Sequence, residues 1–232
     1  NASIFRLFYE ILLGSEQLLK IRSDSMIAII DYDAGNLRSV EKAFQYLGAS
    51  PIITRDPAQI LSADKVILPG VGSFGDAMAK LQQYQLTEVI QDTVKKGTPF
   101  LGICLGLQLL FESSEETPGV KGLGICRGSI LRIPETPGLK IPHMGWNSLS
   151  CTLEPHGNPN GRLFRDIPED SYVYFVHSYY LKAARPSIVT ASTDYCTRIH
   201  ASIEQDNVFA CQFHPEKSGS TGLSILKNFL SI

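Results

Sequence analysis

From Met26 onward, short apolar runs take turns with helical patterns, and that alternation constrains the fold of this 232-residue chain more than any other feature. Ile27–Asp31 reads as a strand and Asn36–Leu47 as a helix with Leu37, Val40, Phe44 and Leu47 on one face. Ile52–Thr54 and Val66–Leu68 then read as strands. Runs this apolar are buried on both faces, and parallel neighbours need helical crossovers. The pattern therefore predicts an α/β fold with a mostly parallel central sheet flanked by helices. It continues through helical Asp76–Tyr84 and Leu86–Lys96, closed by Gly97, into the strand Phe100–Ile103. Further on, Ser129–Ile133, Ser171–Val176, Ser187–Ala191, Ile199–Ile203 and Val208–Phe213 are strand-like with Pro- and Gly-rich connections. These predict added antiparallel strands before a closing helix, Leu223–Leu230.

Composition narrows the function classes. Lys and Arg number 21 against 23 Asp and Glu, a net charge of −2 with no basic block, so the electrostatic footprint of a nucleic-acid binder is missing. No run of about 18 apolar residues offers a membrane span. Cys104, Cys126, Cys151, Cys196 and Cys211 form an odd set without paired spacings, which suits reduced thiols in the cytoplasm better than a disulfide framework. Neither they nor the histidines fall at metal-ligand spacing, so no metal or other cofactor is expected. Residues 1–25 stand apart from the domain at 26–232. Ile4, Ile11 and Leu18, like Phe5, Leu12 and Leu19, recur every seven residues, which fits an amphipathic helix. Arg6 and Glu10 break the apolar core a secretory signal needs, and Glu10, Glu16 and Asp24 argue against a transit peptide. A native extension and a gene-boundary artefact both fit this prefix.

Gly70-Val71-Gly72-Ser73-Phe74-Gly75 matches the G-x-G-x-x-G dinucleotide pattern after a strand. Such a site needs an acidic residue about 20 positions on, at the end of the next strand, whereas Glu88 falls inside a helical stretch. The run reads instead as a tight turn that exposes backbone N–H groups. Gly102-Ile103-Cys104-Leu105-Gly106 carries more. It lies between strand Pro99–Ile103 and helical Leu105–Phe111. Glycines two residues either side of the cysteine allow the sharp strand-to-helix turn that pushes a nucleophile out of a sheet. The following helix turns its N-terminus to the sulfur, and Leu105 N–H is placed to donate to an oxyanion at the attacked carbon. The other four cysteines read as small buried hydrophobes, Cys211 above all because it alternates with Phe209 and Phe213.

A thiol nucleophile needs a base, and the base needs a group to orient it. His143, His156, His177, His200 and His214 compete. His214-Pro215-Glu216 follows strand Val208–Phe213, at the kind of strand end where α/β sheets place reactive groups. Side chains at i and i+2 of an extended segment point the same way, so Glu216 can hold the imidazole tautomer while His214 faces Cys104. His200 reads as an ordinary strand histidine, and His156 sits in a Pro/Gly/Asn loop with no evident partner.

With Cys104 inside Leu101–Gln108 (LGICLGLQ) and His214 and Glu216 after Gln212-Phe213, the chain resembles the class I, triad-type glutamine amidotransferases, which have a flavodoxin-like fold. Five further segments are Asp31–Asn36 (DYDAGN), Pro69–Phe74 (PGVGSF), Pro142–Asn147 (PHMGWN), Phe175–Tyr180 (FVHSYY) and His214–Ser218 (HPEKS). They make it most similar, within that family, to the glutaminase subunits of imidazole glycerol phosphate synthase. Val71 and Lys217 weigh toward these subunits, because related glutaminases usually carry Pro-Gly-Gly in the loop and lack the lysine. The resemblance implies that Cys104, His214 and Glu216 form the catalytic triad and that Val71 and Leu105 N–H form an oxyanion hole. It implies that Gly70, Gly72, Gln108, Glu116, His177, Ser178 and Tyr179 bind glutamine, with Glu116 on its amino group. It also implies a heterodimer with a (β/α)₈-barrel cyclase, faced by Asn36, Trp146 and Lys217, which takes the ammonia in histidine biosynthesis. Without the resemblance, Glu116 reads as part of a solvated acidic helix end with Glu112 and Glu115, and His177 as a core histidine. Two other readings stay in view: a glutaminase of another amidotransferase pathway, and a catalytically silent subunit that regulates a partner.

Overall fold

The computed structural model describes residues 25–151 and 161–232; the heptad-spaced repeat of the prefix and His156 lie outside the described residues. The βα alternation forms as the pattern predicts. β1 (Ile27–Ile30), α1 (Leu37–Tyr46), β2 (Pro51–Thr54), a short α2 (Pro57–Ser62), β3 (Lys65–Gly70), α3 (Phe74–Gln83), α4 (Leu86–Lys95) and β4 (Phe100–Cys104) follow in order. α5 (Leu105–Leu109) leaves β4 with no residue between. Then come β5 (Ser113–Ser114), β6 (Gly128–Arg132), β7 (His143–Ser148), β8 (Tyr172–His177), β9 (Tyr179–Ala183), β10 (Val189–Tyr195), β11 (Thr197–Gln205), β12 (Val208–Cys211) and α6 (Gly219–Leu230). The main sheet has the order β10-β11-β12-β4-β3-β1-β2. Its strands from β12 to β2 run parallel, and β11 and β10 add antiparallel at one edge.

Alternation along the parallel strands divides the core in two. Ala28, Ile30, Val66, Leu68 and Phe100 point to one face, where Phe74 and Leu81 of α3 and Leu86 and Ile90 of α4 cover them. Ile27, Ile29, Ile67, Leu101 and Ile103 point to the other, against Val40 and Phe44 of α1 and Ile225, Leu226 and Phe229 of α6. Each fully buried Leu, Ile or Phe contributes about 1.5–3 kcal/mol by leaving water, so both helical layers are held to the sheet by many such side chains. Caps fix the helix starts. The Asp56 carboxylate accepts from Ala58 N–H before Pro57, and the Ser73 hydroxyl accepts from Asp76 N–H ahead of α3.

Several boundaries differ from the sequence expectation. Ser171–Val176 is only the first of two strands, because the chain leaves one sheet at His177 and enters another at Tyr179, so β8 pairs with β7 while β9 pairs with β6. A continuous apolar run does not reveal a change of sheet. β7 went unread because Met144 and Trp146 face outward, exposed, and leave no buried alternation. Helical Leu105–Phe111 stops at Leu109, where Leu110 and Phe111 N–H tighten onto Leu107 and Gln108 carbonyls. β12 ends at Cys211 rather than Phe213, although Phe209, Cys211 and Phe213 are all fully buried. Cys126 is buried, but Cys151 and Cys196 are half-exposed rather than core, Cys196 at φ 58° on the tip between β10 and β11. Among the described residues no helix is long and apolar enough to cross a membrane.

Candidate active site

At the end of β4, Cys104 takes φ 55° and ψ −108°. A non-glycine residue held there stores about 1–3 kcal/mol of strain, which surrounding packing must enforce. The flanking glycines supply that packing. A Cβ on Gly106 would lie 1.8 Å from the Leu68 carbonyl oxygen, and one on Gly102 2.9 Å from the Gly106 backbone. α5 can therefore start directly on the strand end and turn the sulfur toward a cavity of about 380 Å³.

His214 follows β12 in extended backbone, and a 3₁₀ turn, Pro215–Lys217, carries Glu216 back to it. The expected extended i, i+2 pairing is thus replaced by a turn, which brings His214 Nδ1 and Glu216 Oε1 to 2.8 Å. Both side chains are out of water, 1% and 0% exposed. Ser218 pins the turn: its hydroxyl donates to the His214 carbonyl at 2.6 Å and accepts from Tyr174 N–H at 3.0 Å. Asn36, expected at a partner-facing surface, is half-buried and donates from Nδ2 to Glu216 Oε1 at 2.6 Å. Burial by itself would pull the His214 imidazole down. Its interactions with Cys104 and Glu216 outweigh burial and lift it to about 10.

Gln212 is a further site residue, one that the sequence does not single out. Its Nε2 donates to Cys104 Sγ at 3.8 Å, and its Oε1 accepts from Gln108 Nε2 at 3.1 Å. Gln108 Nε2 also donates to the Tyr179 carbonyl at 3.0 Å. The signal available for Gln212 was its place two residues before His214. A histidine relay was missed as well. Asn147 Nδ2 and His143 Nε2 lie 3.3 Å apart, His143 Nδ1 and His177 Nε2 3.0 Å, and His177 Nδ1 and the Tyr179 carbonyl 2.9 Å. The carbonyl requires a proton on His177 Nδ1. Assigning Nδ1–H to His143 too satisfies every link with two neutral rings. Burial pulls His143 to about 4, and burial plus the charges of His143 and His214 pull His177 to about 3.

Glu116 is half-buried rather than on a solvated helix end. Its Oε2 accepts from Phe74 N–H at 2.7 Å, at the start of α3, which leaves Oε1 free for a cation. The glycine run after β3 is a turn: a Cβ on Gly75 would collide with Thr117, and Gly72 sits at φ 104°. Glu88 lies within α4 rather than at a strand end. Val71, Gly72, Cys104, Leu105, Gln108, Glu116, His177, Ser178, Tyr179 and His214 all line the 380 Å³ cavity, with Pro142 and Val176. Gly70 and Glu216 do not line it. Trp146, 55% exposed on β7, and Lys217, exposed on the 3₁₀ turn, are separate from it. His200 is buried on β11, where its Nδ1 accepts from Ala183 N–H.

A thiol on a strained elbow and a buried imidazole–carboxylate pair are the groups that acyl transfer through sulfur employs. The chain belongs to the family described as glutamine amidotransferase class-I, which matches residues 28–232. It is 52% identical over 208 residues to imidazole glycerol phosphate synthase subunit HisH of Thermosynechococcus vestitus, covering 89% of this chain and 96% of that protein. It is 51% identical over 209 residues to the subunit of that name from Methanothermobacter thermautotrophicus, covering 89% and 98%. Within the amidotransferases it is therefore a member of the HisH subunit family. Among solved structures, the fold is similar to a glutamine amidotransferase (TM-score 0.67, 16% identity, 88% of this chain and 97% of that one). It is also similar to PurLQS from Thermotoga maritima (TM-score 0.66, 21% identity, 89% and 97%). At those identities the likeness concerns the fold alone.

Proposed function

We propose that this chain is the glutaminase subunit of an imidazole glycerol phosphate synthase. It hydrolyses glutamine to glutamate and ammonia and passes the ammonia to a (β/α)₈-barrel cyclase in a heterodimer. One observation carries the reading: a fully buried His214–Glu216 pair and the strained Cys104 meet at a cavity large enough for an amino acid. The half-identical HisH relatives support the choice of pathway. Residues 26–232 form the amidotransferase domain in this reading, and five free cysteines fit a reducing cytoplasm.

The reaction starts as the Cys104 thiolate, paired with a His214 that already holds the proton on Nε2, attacks the side-chain amide carbon of glutamine. Glu216, steadied by Asn36, holds the proton on Nδ1 and favours the imidazolium. Val71 and Leu105 N–H donate to the tetrahedral oxyanion. His214 returns the proton to the departing nitrogen; the C–N bond breaks, ammonia leaves, and a thioester remains on Cys104. Water then adds to the thioester as His214 takes its proton, a second oxyanion collapses, and glutamate leaves as the thiolate is restored. Gln212 donates to the sulfur throughout. Glu116 accepts from the substrate ammonium, and the backbone of Ser178 and Tyr179 serves its carboxylate, held in place by the His177 and Gln108 bonds to the Tyr179 carbonyl.

Asn36, Trp146 and Lys217 are the residues that face the cyclase. The test is glutamate release with and without the barrel cyclase and its nucleotide ligand. Wild type should turn over faster with both present, and Cys104→Ala should lose at least about 1000-fold in rate while still forming the complex. Undiminished glutaminase activity in Cys104→Ala would sink the proposal.

A further inference from the structure

His143 on β7 and His177 on β8 stand opposite each other in the two-stranded sheet, 3% and 6% exposed. The relay they form runs from the tip between β10 and β11 to the substrate segment, and each of its ends fixes the direction of its protons. At the outer end, Asn147 Oδ1 accepts from Ser148 N–H at 2.9 Å, and Nδ2 donates to the Asp194 carbonyl at 3.1 Å. Nδ2 is therefore a donor toward His143 Nε2 as well, which leaves the His143 proton on Nδ1. His177 Nε2, 3.0 Å away, must accept it, so His177 carries its own proton on Nδ1. At the inner end the Tyr179 carbonyl, which can only accept, requires that same proton. The His143 ring is also clamped. Phe175 and Tyr195 stack on it with centroids 4.7 and 4.0 Å away, and the Tyr195 hydroxyl donates to the Lys140 carbonyl at 2.6 Å.

We infer that His143 is a positioning residue for the glutamine hydrolysis proposed above, on which this inference rests: it holds His177 in the tautomer that donates to Tyr179. Tyr179 is pinned at both flanking peptides. The Ser178 carbonyl accepts from Ile133 N–H at 3.0 Å, and the Tyr179 carbonyl accepts from His177 Nδ1 and Gln108 Nε2. This is the stretch whose N–H groups serve the substrate carboxylate, where the chain passes from β8 to β9 with Ser178 alone between them. A neutral imidazole has two tautomers. With its proton on Nε2, His177 would turn a lone pair on the Tyr179 carbonyl, and an attraction would become a repulsion. A donor facing Nε2 keeps the proton off that nitrogen, and His143 is that donor; Asn147 in turn keeps the His143 proton on Nδ1. Neither His143 nor Asn147 lines the cavity, so both act through His177, on binding rather than on the sulfur.

Two substitutions separate this role from packing. His143→Asn keeps an N–H donor on the atom bonded to Cγ, where Nδ1 sits, and gives up the stacked ring; His143→Phe keeps a ring and gives up the donor. With the cyclase and its ligand present, His143→Phe should raise KM for glutamine about fivefold or more with kcat within about twofold of wild type. His143→Asn should keep KM within about twofold. Tm should rank them the other way, His143→Asn being the less stable because it loses the stacking on Phe175 and Tyr195. Imidazole nitrogen NMR of the histidine-labelled full chain should show His177 protonated at Nδ1 in wild type and His143→Asn, and partly at Nε2 in His143→Phe. A His177 tautomer that His143→Phe leaves unchanged overturns the inference. So does a KM that rises with falling Tm across the two variants, which would mark a merely structural residue. A wild type that releases no glutamate in the complex overturns the proposed function and this inference with it. An active wild type matched in KM by His143→Phe overturns the inference alone.

Discussion

Burial acts on His214 and His177, which line the cavity, and on His143 bonded to His177, and their neighbours decide the result. His143 and His177 bond to each other, an amide and a carbonyl, so burial prevails and they sit at about 4 and about 3. His214 has Cys104 and Glu216, which lift it to about 10. In the unfolded chain all three titrate near about 6.5. A lowered folded value stabilises the native state above pH 6.5, and that contribution is lost as pH falls toward 4 and then 3. A raised value stabilises it below pH 6.5, and that contribution is lost as pH rises through 10. Thermal melting should therefore peak near pH 6.5. His143→Gln should flatten the acid side of the profile and leave the alkaline side alone; an acid side of undiminished slope would contradict a neutral, buried His143. At this scale the sequence made Cys104, His214 and Glu216 legible, because their chemistry is carried by residue type and local spacing. Gln212 and His143 were not legible, since an amide and an imidazole are ordinary core residues until their partners are known.

The elbow is where local sequence and element geometry agree most closely. β4 can pass into α5 at Cys104 only if nothing projects from Gly102 and Gly106, and the two nearest neighbours of the missing Gly106 side chain are backbone. Gly106→Ala places a methyl 1.8 Å from the Leu68 carbonyl, and no rotamer change relieves it. It should cost at least about 3 kcal/mol in urea unfolding, or block folding outright; a loss below about 1 kcal/mol would mean that α5 shifts freely on the sheet. G-x-C-x-G announced this turn because the constraint is steric and spans five residues. The His214–Glu216 geometry was harder to read. The pairing itself was expected, but the means was a 3₁₀ turn, which forms because Ser218 ties it to β8. That tie reaches Tyr174, a contact that local propensity does not encode.

Across the whole molecule, the strand order assembles the site. β12, β4 and β3 are neighbours, so their parallel ends bring His214, Cys104 and the Gly70–Gly72 turn together. β1 lies next to β3, which sets the Tyr32–Asn36 loop against that turn. Outside the cavity, Trp146 stands 55% exposed, edge-on to Tyr174 with ring centroids 6.1 Å apart. Trp146→Ala should change the stability of the isolated chain by less than about 1 kcal/mol but raise the dissociation constant for the cyclase about ten- to hundredfold by titration calorimetry. An unaltered affinity would remove Trp146 from the interface. The apolar periodicity and the glycine-flanked cysteine determined by themselves that this chain is α/β and carries a thiol nucleophile, because backbone sterics and burial act over a few residues. Which strand ends adjoin, and that Asn36 grips Glu216 across 180 residues of chain, was decided by the tertiary structure alone. Such contacts depend on how whole layers pack, and no local window of sequence contains both partners.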